Sequence, residues 1–463
     1  MRWSLFIFLA ACGSDPAPTA FFDLDGELAD DTFWDLPFPS DLRLAPSGAP
    51  DMSGYPNPRD VPILRGLLTN VDDRRGWPTM PAAYFRFTAP LPEHELDQVI
   101  EPGPDAPVML IDIDVESPEF GARFPIVART LAEDPYVTSD VVALAPRPGI
   151  VLRANTTYAY VVREAFAPGF AAPDAYATLR DGGTPAGARG AEAVEVYEPL
   201  WHALDEWTID DAVVATVFTT GDEVARLHAR TEALRTAHPV SLDDLTVVDS
   251  TALDGFCQLS GTIKMPQFQT GVQPFSTDGR FVIDGADVPM KQGEMTVPVT
   301  ITIPRQTMPA GGWPLYQFFH GSGGVSTGLV DLGYSPTSED IPELGKGPGF
   351  VVAKHGIAAV SAAMPVNPER LPGAAETEYL NINNLAAFPF TFQQGVIEQR
   401  LLTDLMEDLE IPEAAIAACN VPAPPGGVHK FDATKFVAGG QSMGGMYTNM
   451  VSAIEPRFGA IVP

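Results

Sequence analysis

The stretch that most constrains how this chain can fold is Val437-Ala438-Gly439-Gly440-Gln441-Ser442-Met443-Gly444-Gly445. Its apolar start reads as a buried strand, and glycines two before and two after Ser442 leave room for a tight turn into a helix. A serine oxygen becomes a useful nucleophile when it projects from such a strained strand-to-helix turn. Gly440, Ser442 and Gly444 meet that requirement. The pattern predicts that residues 435–438 deliver Ser442, and that the helix behind it buries a stripe of Met446, Met450 and Ile454 before Pro456 ends the element.

A sheet to hold this strand can be followed upstream. Val297-Pro298-Val299-Thr300-Ile301-Thr302-Ile303 alternates strictly and reads as a half-buried strand, with Pro298 pointing to an edge position. Residues 314–319 and 357–363 are apolar runs of buried-strand length, each followed by helical patterns. That order predicts a mostly parallel sheet with helices on both faces. The clearest helix covers residues 394–409, where Ile397, Leu401, Leu405 and Leu409 recur four apart and Ile411-Pro412 stops the run. Residues 458–462 read as the start of a further strand.

Directly after the run 314–319 comes His320-Gly321-Ser322-Gly323-Gly324. Acyl transfer needs donors aimed at the oxyanion that forms when a serine attacks a carbonyl, and backbone N–H groups of a glycine-rich loop can supply them. The expected donors are Gly321 and Ser322, with Met443 as the second contributor. His320, Gly323 and Gly324 are expected to shape the loop, and His320 is not read as the catalytic base. Neither glycine-rich stretch has the Walker lysine or a G-x-G-x-x-G opening a βαβ unit, which argues against nucleotide binding.

Upstream, residues 21–190 carry short extended runs between Pro, Gly and Asp clusters, the pattern of an all-β domain. Strands are expected at 83–87, 108–113, 124–128 and 158–163. Residues 148–158, ending in Tyr158, resemble the corner of an immunoglobulin-like sandwich, where a tyrosine hydroxyl bonds back to upstream backbone. Residues 191–245 change to a mixed helical pattern and read as a junction segment, and residues 246–463 as the sheet-and-helix domain. His202, His228 and His238 have no cysteine or carboxylate cluster at metal spacing, so no metal or cofactor is expected.

The excess of 60 Asp+Glu over 28 Lys+Arg gives a formal charge of −32, which repels nucleic acid and anionic lipid surfaces. Residues 1–11 have one positive charge at Arg2 and then an apolar run too short to span a bilayer, and read as an export signal. Leu9-Ala10-Ala11-Cys12 resembles the bacterial lipobox, which implies lipidation at Cys12, a tether over residues 12–20, and an exported protein anchored to a bacterial membrane. Cys257 and Cys419 could pair there or remain free thiols.

With these motifs in hand, residues 250–463 resemble the first part of an α/β-hydrolase of the lipase/esterase type. The lipobox, Phe33-Trp34-Asp35-Leu36-Pro37-Phe38-Pro39-Ser40-Asp41-Leu42, the β-rich region and the hydrolase motifs together resemble bacterial surface-exposed lipoprotein lipases, described as virulence-factor lipases. The resemblance implies a serine hydrolase cleaving carboxylic esters of lipids or lysophospholipids through an acyl-enzyme on Ser442. A serine peptidase of the same fold is the enzymatic alternative. One departure matters: the acid and histidine of such a site follow the serine in chain order, yet after Ser442 the sequence has Glu455, read as a solvated helix-end charge, and no histidine. His355 and His429 precede it. The expectation is therefore a hydrolase domain truncated after its nucleophile helix, or a surface-binding lipoprotein that has lost the chemistry.

Overall fold

The computed structural model describes residues 16–248, 253–335, 337 and 342–463; the expected leader and Cys12 lie outside these. The chain divides into two compact units between Asp222 and Glu223. The segment 191–245, expected as a junction, is shared between them.

In the first unit, short β-branched and aromatic runs form β1 (Ala83–Arg86), β2 (Val99–Ile100), β3 (Val108–Asp112), β4 (Arg123–Phe124), β5 (Ile126–Thr130), β6 (Val141–Pro146), β7 (Thr157–Arg163) and β8 (Ala212–Thr219). They assemble into two four-stranded antiparallel sheets, ordered β1-β6-β5-β2 and β4-β3-β7-β8. The strand expected at 124–128 is two strands in different sheets. Pro125 separates them, because it has no N–H to continue a ladder. Helices α1 (Pro62–Val71), α2 (Asp174–Arg180) and α3 (Gly190–Glu206) complete the unit. One core joins Leu110, Ile111, Tyr160, Val161, Tyr197 and Phe218.

Polar side chains tie this unit's turns together. The Tyr158 hydroxyl accepts a hydrogen bond from the Arg153 N–H at 3.0 Å, the backward tie expected of it. Burial pushes that hydroxyl up to about 12, so it stays protonated. In the aromatic stretch near the start, the Arg43 guanidinium lies 4.4 Å above the Phe33 ring. Asp41 accepts from the Trp77 indole at 3.1 Å and from the Thr219 N–H at 2.9 Å.

The second unit begins with α4 (Glu223–Ala237) and then builds one sheet from β9 (Leu242–Val247), β10 (Phe256–Gln267), β11 (Gly293–Pro304), β12 (Trp313–Phe319) and β13 (Ala358–Ala362). Helices α5 (Gly328–Asp331), α6 (Pro348–Ala353) and α7 (Phe388–Asp408) are interleaved. A two-residue ladder of β14 (Ile411–Pro412) with β15 (Val428–His429) precedes β16 (Phe431–Gly440), α8 (Met443–Ser452) and β17 (Phe458–Val462). The sheet order is β17-β16-β12-β13-β11-β10-β9. It is mixed, where the sequence pattern predicts a mostly parallel sheet: β9, β10, β11 and β13 pair antiparallel, while β13, β12, β16 and β17 pair parallel. Strand direction depends on where each connection crosses, which a local apolar run does not encode. Among the described residues no helix is long and apolar enough to cross a membrane.

Three local expectations are corrected. Pro298 sits in an interior strand, since β11 pairs with both β10 and β13. Its carbonyl accepts from Ala363 N–H at 3.0 Å where the β13 ladder ends, so its missing N–H falls just past the last ladder rung. The buried face of α8 is Met443, Tyr447, Thr448 and Val451, with Ile454 beyond it, while Met446 is 44% exposed. The helix is entered through a sharp turn, which rotates its stripe relative to the one the sequence predicts. Helix α7 starts six residues earlier than 394 and buries Glu398, Gln399 and Arg400 as well as its apolar stripe, because each polar head finds a partner. Cys257 and Cys419, left open by the sequence, form a disulfide with Cα atoms 5.4 Å apart.

Candidate active site

Ser442 stands between β16 and α8 with φ 56° and ψ −119°, a backbone region costly for any residue with a Cβ. The turn closes because its two glycines have no side chain. A Cβ on Gly440 would lie 2.2 Å from the Gly444 carbonyl oxygen, and one on Gly444 would lie 1.9 Å from the Phe319 carbonyl oxygen. The Ser442 side chain is exposed, and its hydroxyl has no hydrogen-bond partner among the described residues.

The second half of the site leaves the neighbouring strand. β12 and β16 run parallel with Phe319 opposite Gly440, so His320–Gly324 and Ser442 emerge from the same sheet edge on adjacent strands. Gln441 N–H donates to the Phe319 carbonyl at 3.3 Å and ties the two turns together. Side-chain hydrogen bonds fix the loop. His320 is 2% exposed; its Nε2 accepts from Met364 N–H and its Nδ1 lies on the Gly321 carbonyl, both at 2.9 Å. This pairing places the ring proton on Nδ1. Burial, reinforced by the charge of Arg370 against the opposing Gly321 contact, pushes the ring down to about 4. His320 is thus a neutral strut between the loop and the end of β13.

Residues not anticipated from the sequence complete the frame. Asn367 Oδ1 accepts from Gly323 N–H at 3.1 Å, while its Nδ2 donates to the Pro365 carbonyl at 2.9 Å and lies 3.9 Å from the Met443 sulfur. Ser322 donates its hydroxyl to Tyr379 at 2.9 Å, and the Glu369 carboxylate accepts the Ser326 hydroxyl at 2.9 Å. The one sequence signal for Asn367 is its place four residues beyond the apolar run 357–363, at the same sheet edge. The Gly323 N–H is thus spent on Asn367, and the Gly324 N–H on the Gly321 carbonyl at 3.0 Å within the loop. Among the described residues the N–H groups of Gly321, Ser322 and Met443 have no hydrogen-bond partner.

The two other histidines weighed as bases are remote. His355 precedes β13 and His429 precedes β16, so both lie at the strand starts, opposite the edge that carries Ser442. Along β16 that separation is about 30 Å. His429 is buried and its Nδ1 accepts from the Trp313 indole at 3.3 Å. Glu455, read from the sequence as solvated, is 2% exposed and ion-paired with Arg457 at 2.7 Å and Arg400 at 3.1 Å. Burial pushes its carboxyl up, but the hydrogen bond and charge of Arg457, then the charge of Arg400, outweigh it and hold it at about 2. It anchors the end of α8 instead of facing Ser442. Among the described residues no group of three or more His, Cys, Asp or Glu is arranged to hold a metal ion.

No family model matches the chain, and no curated protein matches it. Among solved structures it has distant similarity to α/β-hydrolase esterases over about half of its length. An acetyl xylan esterase from Paenibacillus sp. R4 is 14% identical over 52% of this chain and 59% of its own, with a TM-score of 0.31. An esterase from an Arctic intertidal metagenomic library is 15% identical over 44% and 59%, with a TM-score of 0.21. A glucuronoyl esterase from Teredinibacter turnerae is 8% identical over 53% of each chain, with a TM-score of 0.24. The chain thus spans between half and three-fifths of the length of these structures.

Proposed function

We propose that this chain carries the nucleophile and oxyanion site of a serine hydrolase acting on carboxylic esters. The observation that supports it is Ser442, held at positive φ on a strand-to-helix turn beside a loop whose Gly321 and Ser322 N–H groups, like that of Met443, are free to donate. In the reaction the Ser442 oxygen attacks the ester carbonyl carbon and gives its proton to a base. The carbonyl electrons move onto the oxyanion held by the free N–H groups. Collapse expels the alcohol, which takes the proton, and leaves an acyl-serine that water hydrolyses by the same steps.

The base is the missing participant, since the Ser442 hydroxyl has no partner among the described residues. General-base assistance contributes roughly 10²–10⁴-fold, so the test supplies it from solution. An aryl phosphonate should label Ser442, and imidazole should accelerate turnover of a short-chain aryl ester by wild type beyond its effect on Ser442→Ala. Labelling that survives Ser442→Ala, or no labelling under any condition, overturns the reading. A peptide-based probe that outcompetes the lipase-type phosphonate would move the assignment to a peptidase of the same fold. The unpartnered hydroxyl also favours a second reading, a surface-binding lipoprotein without chemistry, which predicts ligand binding unchanged by Ser442→Ala. The leader and Cys12 support a lipid-anchored, exported protein, checked by palmitate incorporation that Cys12→Ala abolishes.

A further inference from the structure

A cavity of about 380 Å³ opens in the second unit at the end of the β10–β11 hairpin. Its wall gathers buried side-chain polar atoms that have no hydrogen-bond partner among the described residues. Gln267 is 8% exposed, and both its Oε1 and its Nε2 lack hydrogen-bond partners among the described residues. Gln269 is 1% exposed; its Nε2 donates to the Gly279 carbonyl at 2.9 Å and to Thr391 at 3.1 Å, which fixes the amide and leaves Oε1 unpartnered. Gln273 Oε1 and Arg370 Nε are unpartnered too, although Arg370 spends its other nitrogens on buried Glu398, at 3.0 Å from Nη2. Val272, 84% exposed, and buried Phe275 supply apolar wall.

Each buried polar atom left unpaired costs about 1–3 kcal/mol, so a cluster of them around one opening marks a place where a ligand or water completes the bonding. The free groups are three carbonyl acceptors and two donors. The charges at the wall are paired, Arg370 with buried Glu398 and the exposed Glu294 carboxylate with Lys291 at 2.7 Å. Acceptors in the majority disfavour an anion, and the guanidinium disfavours a cation. Groups that donate and accept from the same atom fit best, which is the property of hydroxyls. We infer that this cavity is a binding site for a neutral polyhydroxylated ligand, a saccharide unit, with hydroxyls on the glutamine amides and its apolar face toward Val272 and Phe275. The cavity lies within the usual size range of small-molecule sites. The inference does not depend on the chemistry of Ser442.

The test uses the full chain carrying Ser442→Ala, so that hydrolysis and binding are not confused. Methyl β-glucoside and cellobiose are titrated by calorimetry and saturation-transfer NMR, with glucuronate and glucosamine as charged counterparts. Binding of a neutral sugar about tenfold tighter than either charged one is expected. Gln267→Met should weaken it about tenfold while leaving the melting temperature equal or higher, because an unsatisfied amide is replaced by an apolar chain of similar shape. Val272→Trp, at an exposed rim position, should block binding without touching the core and decides the matter should Gln267→Met not fold. Absence of binding by both neutral sugars, tighter binding of a charged one, or affinity undiminished in Val272→Trp overturns the inference.

Discussion

The two turns that meet at the sheet edge are held by different means. The Ser442 turn is closed by backbone against backbone: Gly440 and Gly444 sit where any Cβ would strike a carbonyl, and the serine keeps a positive φ. The His320–Gly324 loop is instead held from outside by side chains, with His320 on Met364, Asn367 on Gly323 and Tyr379 on Ser322. Steric closure is insensitive to solvent and intolerant of substitution, whereas a hydrogen-bonded frame tolerates substitution but responds to pH. A nucleophile needs one fixed direction, while donors for a developing charge need only be unspent and pointed the right way.

The contrast can be broken most severely at Gly444. Gly444→Ala places a methyl 1.9 Å from a strand carbonyl, and a loss above about 4 kcal/mol is expected together with loss of phosphonate labelling. Urea unfolding of the second unit checks it, and a stable, labelled variant would mean the turn is not sterically closed. The next largest effect is on the loop side and depends on pH. The folded chain holds the His320 ring at about 4 against an ordinary value of 6.5, so the unfolded state takes up a proton first. The stability this gives is complete above pH 6.5 and is lost as pH falls from 6.5 toward 4, in total about 3 kcal/mol. Denaturation midpoints at pH 7.5 and pH 4.5 should therefore differ more in wild type than in His320→Asn; equal differences would remove His320 from the frame.

Smaller changes sharpen the comparison. Ser442→Gly relieves the positive φ, and after the entropy of glycine is set against it about 1 kcal/mol of added stability is expected, with all acylation lost. A destabilised Ser442→Gly would show that the turn stores no strain. Tyr379→Phe removes one partly buried hydrogen bond from Ser322 and should cost about 0.5 kcal/mol by thermal melting. A cost of several kcal/mol there would make the loop as rigid as the turn opposite.

How much of this was legible in the sequence follows from the same distinction. The Ser442 turn could be read because its determinants are local: glycines at fixed offsets between an apolar run and a helical pattern. The strands expected at 83–87, 108–113, 158–163, 297–303, 314–319 and 357–363 were legible for the same reason, whereas β9 and β10 were not anticipated and α7 starts six residues before its expected beginning. What escaped was set by groups distant in sequence. Asn367 and Tyr379 join the site only because β13 and α7 lie beside β12 and β16. Glu455 reads as a solvated charge until Arg400, far upstream, is brought onto it. The direction of β10 and β11, and hence the interior place of Pro298, depends on connections and not on pattern.

The disulfide between Cys257 and Cys419 spans 162 residues of sequence. The closed ring it makes contains the His320–Gly324 loop, Asn367 and Tyr379, but not Ser442. In the unfolded chain the ring removes chain entropy worth about 5 kcal/mol in the loop-closure account, which stabilises the folded second unit as a whole. β16 joins the sheet from outside the ring, against β12, which lies within it. The covalent topology therefore separates the two halves of the candidate site: in the unfolded chain His320–Gly324, Asn367 and Tyr379 remain within one closed ring, while the strand that carries Ser442 does not.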